Sequence, residues 1–200
     1  MWLGFNFLFH KVFSFVLVLL FASSNAFSAE YSRYLKNYSV EEGLSQSYVN
    51  QTLQDNYGYL WVATDYGLNR FDGYEFEKIT GPDNVFANGG VIALHLLENG
   101  NLIVSTYYTG AYFVDPLTLE ATRFYDGKLV ETKDEYLSIE SVIEVKGDLI
   151  LAIGRHLVSY SVASKQFKIL FSLSEKQDLI RALFQKGEYI YFGTSKGLYV

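Results

Sequence analysis

The stretch GYLWVATDYGLNRFDGYEFEKIT, Gly58 to Thr80, decides the architecture. It reads as an apolar run (Leu60 to Ala63), a polar corner, a second run (Leu68 to Phe71), an Asp72-Gly73 dipeptide and a last run (Tyr74 to Ile79). Short apolar runs bounded by glycine-containing corners are strand signals, and Asp-Gly supplies the φ > 0 geometry that a tight hairpin demands. The stretch is either an isolated meander or one copy of a repeat, and the rest of the chain tells which.

Three later segments line up with it: NGNLIVSTYYTGAYFVD from Asn99, KGDLILAIGRHLVSYSV from Lys146 and KGEYIYFGTSKGLYV from Lys186. Their leading glycines and Gly58 (Gly58, Gly100, Gly147, Gly187) are 42, 47 and 40 residues apart, a period that belongs to propeller blades. Ahead of each glycine lies an inner run: Val49 to Leu53, Val91 to Leu97, Ile139 to Val145 and Leu179 to Phe184. A fourth run follows the first three units: Tyr74 to Ile79, Ala121 to Tyr125 and Gln166 to Leu170. Four antiparallel strands per unit predict an all-β fold, a β-propeller of four-stranded blades. About four blades are expected, at 47–80, 90–125, 139–170 and 178–200, as the opening part of a larger propeller. A helical array would show i, i+3, i+4 apolar spacing and a jelly roll would lack the period of about 42. The segment 27–46 precedes the first blade; within it, Tyr34 to Val40 is the alternative source of an outer strand that would close a four-bladed ring.

Composition agrees. Half of the 200 residues are hydrophobic and 18% are aromatic, which suits half-buried pleated surfaces. A formal charge of -6, with no basic cluster, excludes the electrostatic footprint of a nucleic-acid binder. The absence of cysteine removes disulfides, thiolate metal sites and thiol nucleophiles. Residues 1–26 have the form of a secretory signal: Lys11, an apolar run from Val12 to Ala22, then Ser24-Asn25-Ala26 with small side chains where a signal peptidase cuts, placing cleavage between 26 and 29. Export to the periplasm is expected.

GLSQSYVNQTLQDNYGYLWVATDYGLNRFDGYEFEKIT, Gly43 to Thr80, resembles the N-terminal repeat of the two-component regulator propeller family. The pattern is met at Leu44, Ser45, Val49, Gln54, Asp55, Gly58, Leu60, Trp61, Thr64, Gly67, Leu68, Phe71, Asp72 and Gly73. Ala63 stands where the family usually has glycine, and later units match more weakly, through Gly193, Thr194, Gly197 and Leu198. The resemblance implies the extracytoplasmic ligand-sensing part of a receptor anchored in the inner membrane, followed in the same polypeptide by a histidine kinase or diguanylate cyclase, and signalling as a homodimer. The segment itself is then no enzyme and uses no cofactor. The alternatives are a periplasmic propeller enzyme or a protein-interaction scaffold.

Chemistry collects at one place. The corners between second and third strands fall at the same end of every sheet, and they carry Asp65 and Tyr66, Tyr107 and Tyr108, Arg155 and His156, and Ser195 with Lys196. Aromatic faces, a carboxylate and cations on one rim form a candidate site for a polar ligand such as a saccharide or an anion, since loops on a rigid scaffold carry function. No metal or catalytic residue is expected: the three histidines, His10, His95 and His156, lack ligand spacing. His95 is read as a satisfied core or channel-facing side chain, Asp55 to Gly58 as a hairpin turn, and Trp61 as core.

Overall fold

The computed structural model describes residues 35–129, 138–175 and 177–200; the signal segment and its cleavage site lie outside them. Tyr38–Val200 forms one compact unit. Its strands are β1 (Val49–Gln54), β2 (Leu60–Thr64), β3 (Gly67–Phe71), β4 (Phe76–Ile79), β5 (Val91–Leu96), β6 (Leu102–Thr106), β7 (Ala111–Val114), β8 (Ala121–Tyr125), β9 (Ile139–Val145), β10 (Asp148–Ile153), β11 (His156–Ser161), β12 (Gln166–Ser172), β13 (Ile180–Lys186), β14 (Tyr189–Thr194) and β15 (Gly197–Tyr199). They form antiparallel sheets in simple sequence order, β1 to β4, β5 to β8, β9 to β12 and β13 to β15. The fold is the expected β-propeller of successive blades, whose strands span 49–79, 91–125, 139–172 and 180–199.

Neighbouring blades meet along their inner strands, β1 beside β5, β5 beside β9 and β9 beside β13. The second strand of a blade is covered on both faces. That is why LWVAT, LIVST and DLILAI read as continuous apolar runs and are almost wholly buried, whereas β12 alternates half-buried with exposed positions. Three cores follow from this stacking. Trp61, Leu68, Phe86, Leu94 and Tyr112 fill the first, Ile103, Tyr125, Leu149, Leu151 and Tyr160 the second, and Ala152, Leu157, Ile180 and Phe192 the third.

Side chains stitch the blades where their backbones diverge. The Gln51 amide accepts from the Leu94 N–H at 2.8 Å and donates to the Leu94 carbonyl at 3.0 Å, completing a strand pair between β1 and β5. The register-equivalent Ser141 accepts from Leu183 N–H at 3.1 Å across the third junction. At the second junction the same position is Ala93, and Ser105 Oγ accepts from Ile139 N–H at 3.1 Å instead.

The turns follow from acidic side chains that fold back on the chain. Asp72 Oδ1 accepts from the N–H groups of Tyr74 and Glu75 at 2.8 and 2.9 Å, and Asp115 Oδ1 from Leu117 and Thr118 at 2.8 and 3.0 Å. These bonds, Glu75 foremost for Asp72 and Thr118 for Asp115, hold both carboxyls below the usual carboxylate range.

One element lies outside the sequence reading, and one alternative strand is absent from the described residues. Between β4 and β5 a 3-10 turn (Pro82–Asn84) runs into the short helix α1 (Val85–Gly89). Phe86 from this helix is fully buried and meets Tyr112 edge-on at 5.2 Å. The second concerns the segment ahead of the first blade. Residues 35–39 form no strand, Val40–Glu42 is a 3-10 turn capped by Ser39, and the fourth sheet has three strands, so the ring-closing strand considered at Tyr34 to Val40 does not form over the described residues. Among the described residues no helix is long and apolar enough to cross a membrane.

Candidate functional site

At the corner of the first blade, Thr64 Oγ1 donates to the Gly67 carbonyl at 3.0 Å and accepts from Tyr66 N–H at 3.3 Å. Thr106 and Thr194 repeat the bond to Gly110 and Gly197 at 2.8 and 3.1 Å. This hydroxyl bridge closes the turn across the corner residues that lie between its two partners. The third blade has Ile153 at this position and lacks the bridge.

The structure brings Asp65 and Tyr107 together. Asp65 Oδ1 accepts from Asn50 Nδ2 at 2.9 Å and from the Tyr107 hydroxyl at 3.3 Å, and Asn50 also donates to the Val91 carbonyl at 2.8 Å. Desolvation, then the Asp65 charge, raises the Tyr107 phenol above its ordinary value. Tyr108 lies 6.0 Å from Tyr107, ring centre to ring centre, and Tyr66 and Tyr108 are 65% and 70% exposed. The first and second blades thus present one oriented carboxylate beside open tyrosine faces, suited to hydrogen bonding and stacking with a polar ligand.

The other rim residues are turned to structural tasks. Arg155 Nη1 donates to the Leu173 carbonyl at 2.8 Å, tying the corner to the exit of β12. His156 is buried at the start of β11, with Nδ1 2.7 Å from Ser172 Oγ. Lys196 Nζ sits 2.6 Å from Glu175 Oε1 and 3.0 Å from Asp178 Oδ2; its bonds to Glu175 and then Asp178 raise its pKa. Ser195 Oγ donates to Asp178 Oδ1 at 3.1 Å. The cations therefore do not converge with the tyrosines. Arg181 and Glu140, on β13 and β9, form a further pair at 3.3 Å.

Three residues weighed from the sequence as structural are placed plainly. Trp61 is fully buried, and Asp55 makes the hairpin turn, its Oδ1 accepting from the N–H groups of Tyr57 and Tyr59. His95 is half-buried on β5, but its Nε2 is buried without a hydrogen-bond partner, so the expected satisfied histidine is unsatisfied at that atom. Burial lowers its pKa to about 4.

Sequence reasoning missed a groove of about 530 Å³ at the opposite end of the sheets, between the second and third blades. The β5–β6 turn contributes Asn99 and Asn101, the outer strands Phe113, Arg123 and Phe124, and the third blade Glu144, Tyr160 and Lys165. Phe113 and Phe124 stack at 4.2 Å, and Tyr160 lies 5.2 Å from Phe124. The aromatic richness of β7, β8, β11 and β12 was the available signal, but the groove exists only where two blades diverge. Among the described residues no three His, Cys, Asp or Glu side chains are grouped closely enough to hold a metal ion.

Comparison with known proteins agrees with the reading of the first repeat. Residues 43–66 match the two component regulator propeller family model. A histidine kinase, P4, from Formosa agariphila is 41% identical over 66 residues, which is 33% of this chain and 4% of that protein. The chain therefore matches only a small part of that relative. Among solved structures, the extracellular domain of the hybrid two component system BT4673 from B. thetaiotaomicron superposes with a TM-score of 0.67 at 20% identity, over 84% of this chain and 23% of that one. A catalytically inactive virginiamycin B lyase from Staphylococcus aureus superposes at 0.59 with 12% identity, over 82% and 52%. Likeness at these identities carries the propeller fold, and the resemblance to sensor propellers rests on the first repeat.

Proposed function

We propose that the chain is the exported, ligand-sensing propeller segment of a membrane-anchored receptor whose histidine kinase or diguanylate cyclase output belongs to the same polypeptide, and which signals as a homodimer. The observation that carries this reading is the two component regulator propeller match at 43–66, which a histidine kinase relative of 41% identity over 66 residues supports. The structural likeness to the extracellular domain of a hybrid two component system supports the same assignment of fold. Asp65, Tyr66, Tyr107 and Tyr108 are the residues this reading assigns to a polar ligand, a saccharide among them. Binding shifts a receptor between states only through differential affinity for the two, so these side chains must contact the ligand differently in each. The segment itself performs no catalysis.

The test begins with the reading frame beyond Val200, where a spanning helix of about 20 apolar residues and a signalling module are expected. Phosphotransfer or cyclic-dinucleotide output of the full-length protein is then compared between wild type and the Tyr66→Ala/Tyr108→Ala variant, both positions being exposed enough to change without loss of fold. Unchanged output over the whole range of an activating ligand would overturn the rim assignment, and a frame with no signalling module would overturn the receptor reading.

A further inference from the structure

The groove between the second and third blades has a built wall and free charges. Its volume of about 530 Å³ falls in the range of roughly 300–1,000 Å³ that small-molecule sites occupy. The register of β7 and β8 slips between Ala111 and Tyr112, leaving Phe124 without a direct partner. This bulge re-aims the Phe124 ring so that it stacks on Phe113 and lies 5.2 Å from Tyr160 of the next blade. Phe113 and Phe124 remain half-buried, so their ring surface is open to the groove.

The polar lining is unequal. The Glu144 carboxylate already accepts a hydrogen bond from Glu98 N–H, and Asn99 Oδ1 accepts from Asn101 N–H at 3.0 Å. Arg123 and Lys165 are exposed at the groove, and among the described residues neither side chain has an ion-pair or hydrogen-bond partner. Two unspent cations beside an aromatic wall select a ligand with a flat apolar ring and an anionic group. A guanidinium offers a carboxylate two parallel hydrogen bonds, and an ammonium adds a point charge.

We propose that this groove binds a small ring-bearing carboxylate, its ring against Phe113 and Phe124 and its carboxylate at Arg123 and Lys165. This site is separate from the corner rim, and its occupation does not depend on the receptor reading.

The test uses phenylacetate and its neutral isostere phenylacetamide, titrated calorimetrically into the 200-residue chain. Phenylacetate should bind about tenfold more tightly than the amide, with the preference shrinking as salt is raised. Arg123→Gln and Lys165→Asn should each abolish most of that preference; both residues are exposed, and Asn tolerates the positive φ of 58° at Lys165. Chemical-shift changes on phenylacetate addition should centre on Phe113 and Phe124. Equal affinity for acid and amide, no binding of either at millimolar concentration, retention of the acid preference in Arg123→Gln, or preferential binding of a neutral disaccharide such as maltose would each overturn the proposal.

Discussion

The Trp61 indole N–H donates to Asp55 Oδ2 at 2.8 Å, with Trp61 fully buried and Asp55 6% exposed. The other oxygen of the same carboxylate holds Tyr57 and Tyr59 N–H at 2.9 and 3.0 Å. One side chain thus fastens the β1–β2 hairpin to the centre of the first inter-blade core, which explains why Asp and Trp stand six residues apart in the repeat. Asp55→Ala should lower stability by about 2–4 kcal/mol, because three donors lose a charged acceptor. Trp61→Phe should cost about 1–3 kcal/mol by leaving Asp55 Oδ2 buried and unpaired. Urea denaturation measures both, and a double mutant no worse than Asp55→Ala alone would confirm that the two act as one unit.

The junction between the first and second blades depends on Gln51, whose amide makes two backbone bonds where Ser141 makes one across the third junction. Gln51→Ala is expected to destabilise by about 2 kcal/mol and Ser141→Ala by about 1 kcal/mol. Amide hydrogen exchange should show loss of protection at Leu94 in the first variant and at Leu183 in the second. Unaltered Leu94 protection in Gln51→Ala would refute the clip.

Gly110 and Gly147 both have positive φ, 95° and 86°, but differ in their surroundings. A Cβ on Gly110 would lie 1.9 Å from the Tyr125 carbonyl oxygen, whereas one on Gly147 meets nothing within 4 Å. Gly147→Ala should therefore cost only the left-handed backbone penalty of about 1–2 kcal/mol. Gly110→Ala must also displace the end of β8 and should lose several-fold more stability by thermal unfolding; equal losses would show that the corner is pliable.

His95 makes stability depend on pH in a defined window. Its folded pKa is about 4, against 6.5 for the free side chain. Above pH 6.5 both folded and unfolded states hold it neutral and it contributes no slope. As pH falls from 6.5 towards 4 the unfolded chain takes up the proton first, so folding weakens, and below 4 the loss is complete. The full loss is of order 3 kcal/mol. His95→Leu, which places there an apolar side chain like that of the register-equivalent Leu53, should flatten the stability profile between pH 7 and 4 relative to wild type. An unchanged slope would place the sensitivity elsewhere.

Much of the fold was legible because propeller blades are local structures. The 42-residue spacing, the Asp72-Gly73 and Asn99-Gly100 turns and the buried second strands all depend on residues near one another in the chain. The insertion carrying Phe86 was not legible, since Pro82 to Gly90 reads as a loop and its burial depends on a gap between two blades.

For the candidate site the division runs along the same line. The sequence by itself determined that Asp65, Tyr107, Arg155 and Lys196 sit at equivalent corners, because hairpin order dictates which turns share an end of a sheet. Only the tertiary structure decided how their charges are used. Asp65 and Tyr107 meet across a blade junction, whereas Arg155 is drawn to the Leu173 carbonyl and Lys196 to Glu175 and Asp178. The groove at the opposite end was likewise decided by packing: Phe124 and Lys165 stand 41 residues apart and share a wall only because one blade is stacked on the next. Side-chain partners are chosen by distance in space, and periodicity in sequence fixes only which positions are available to be chosen.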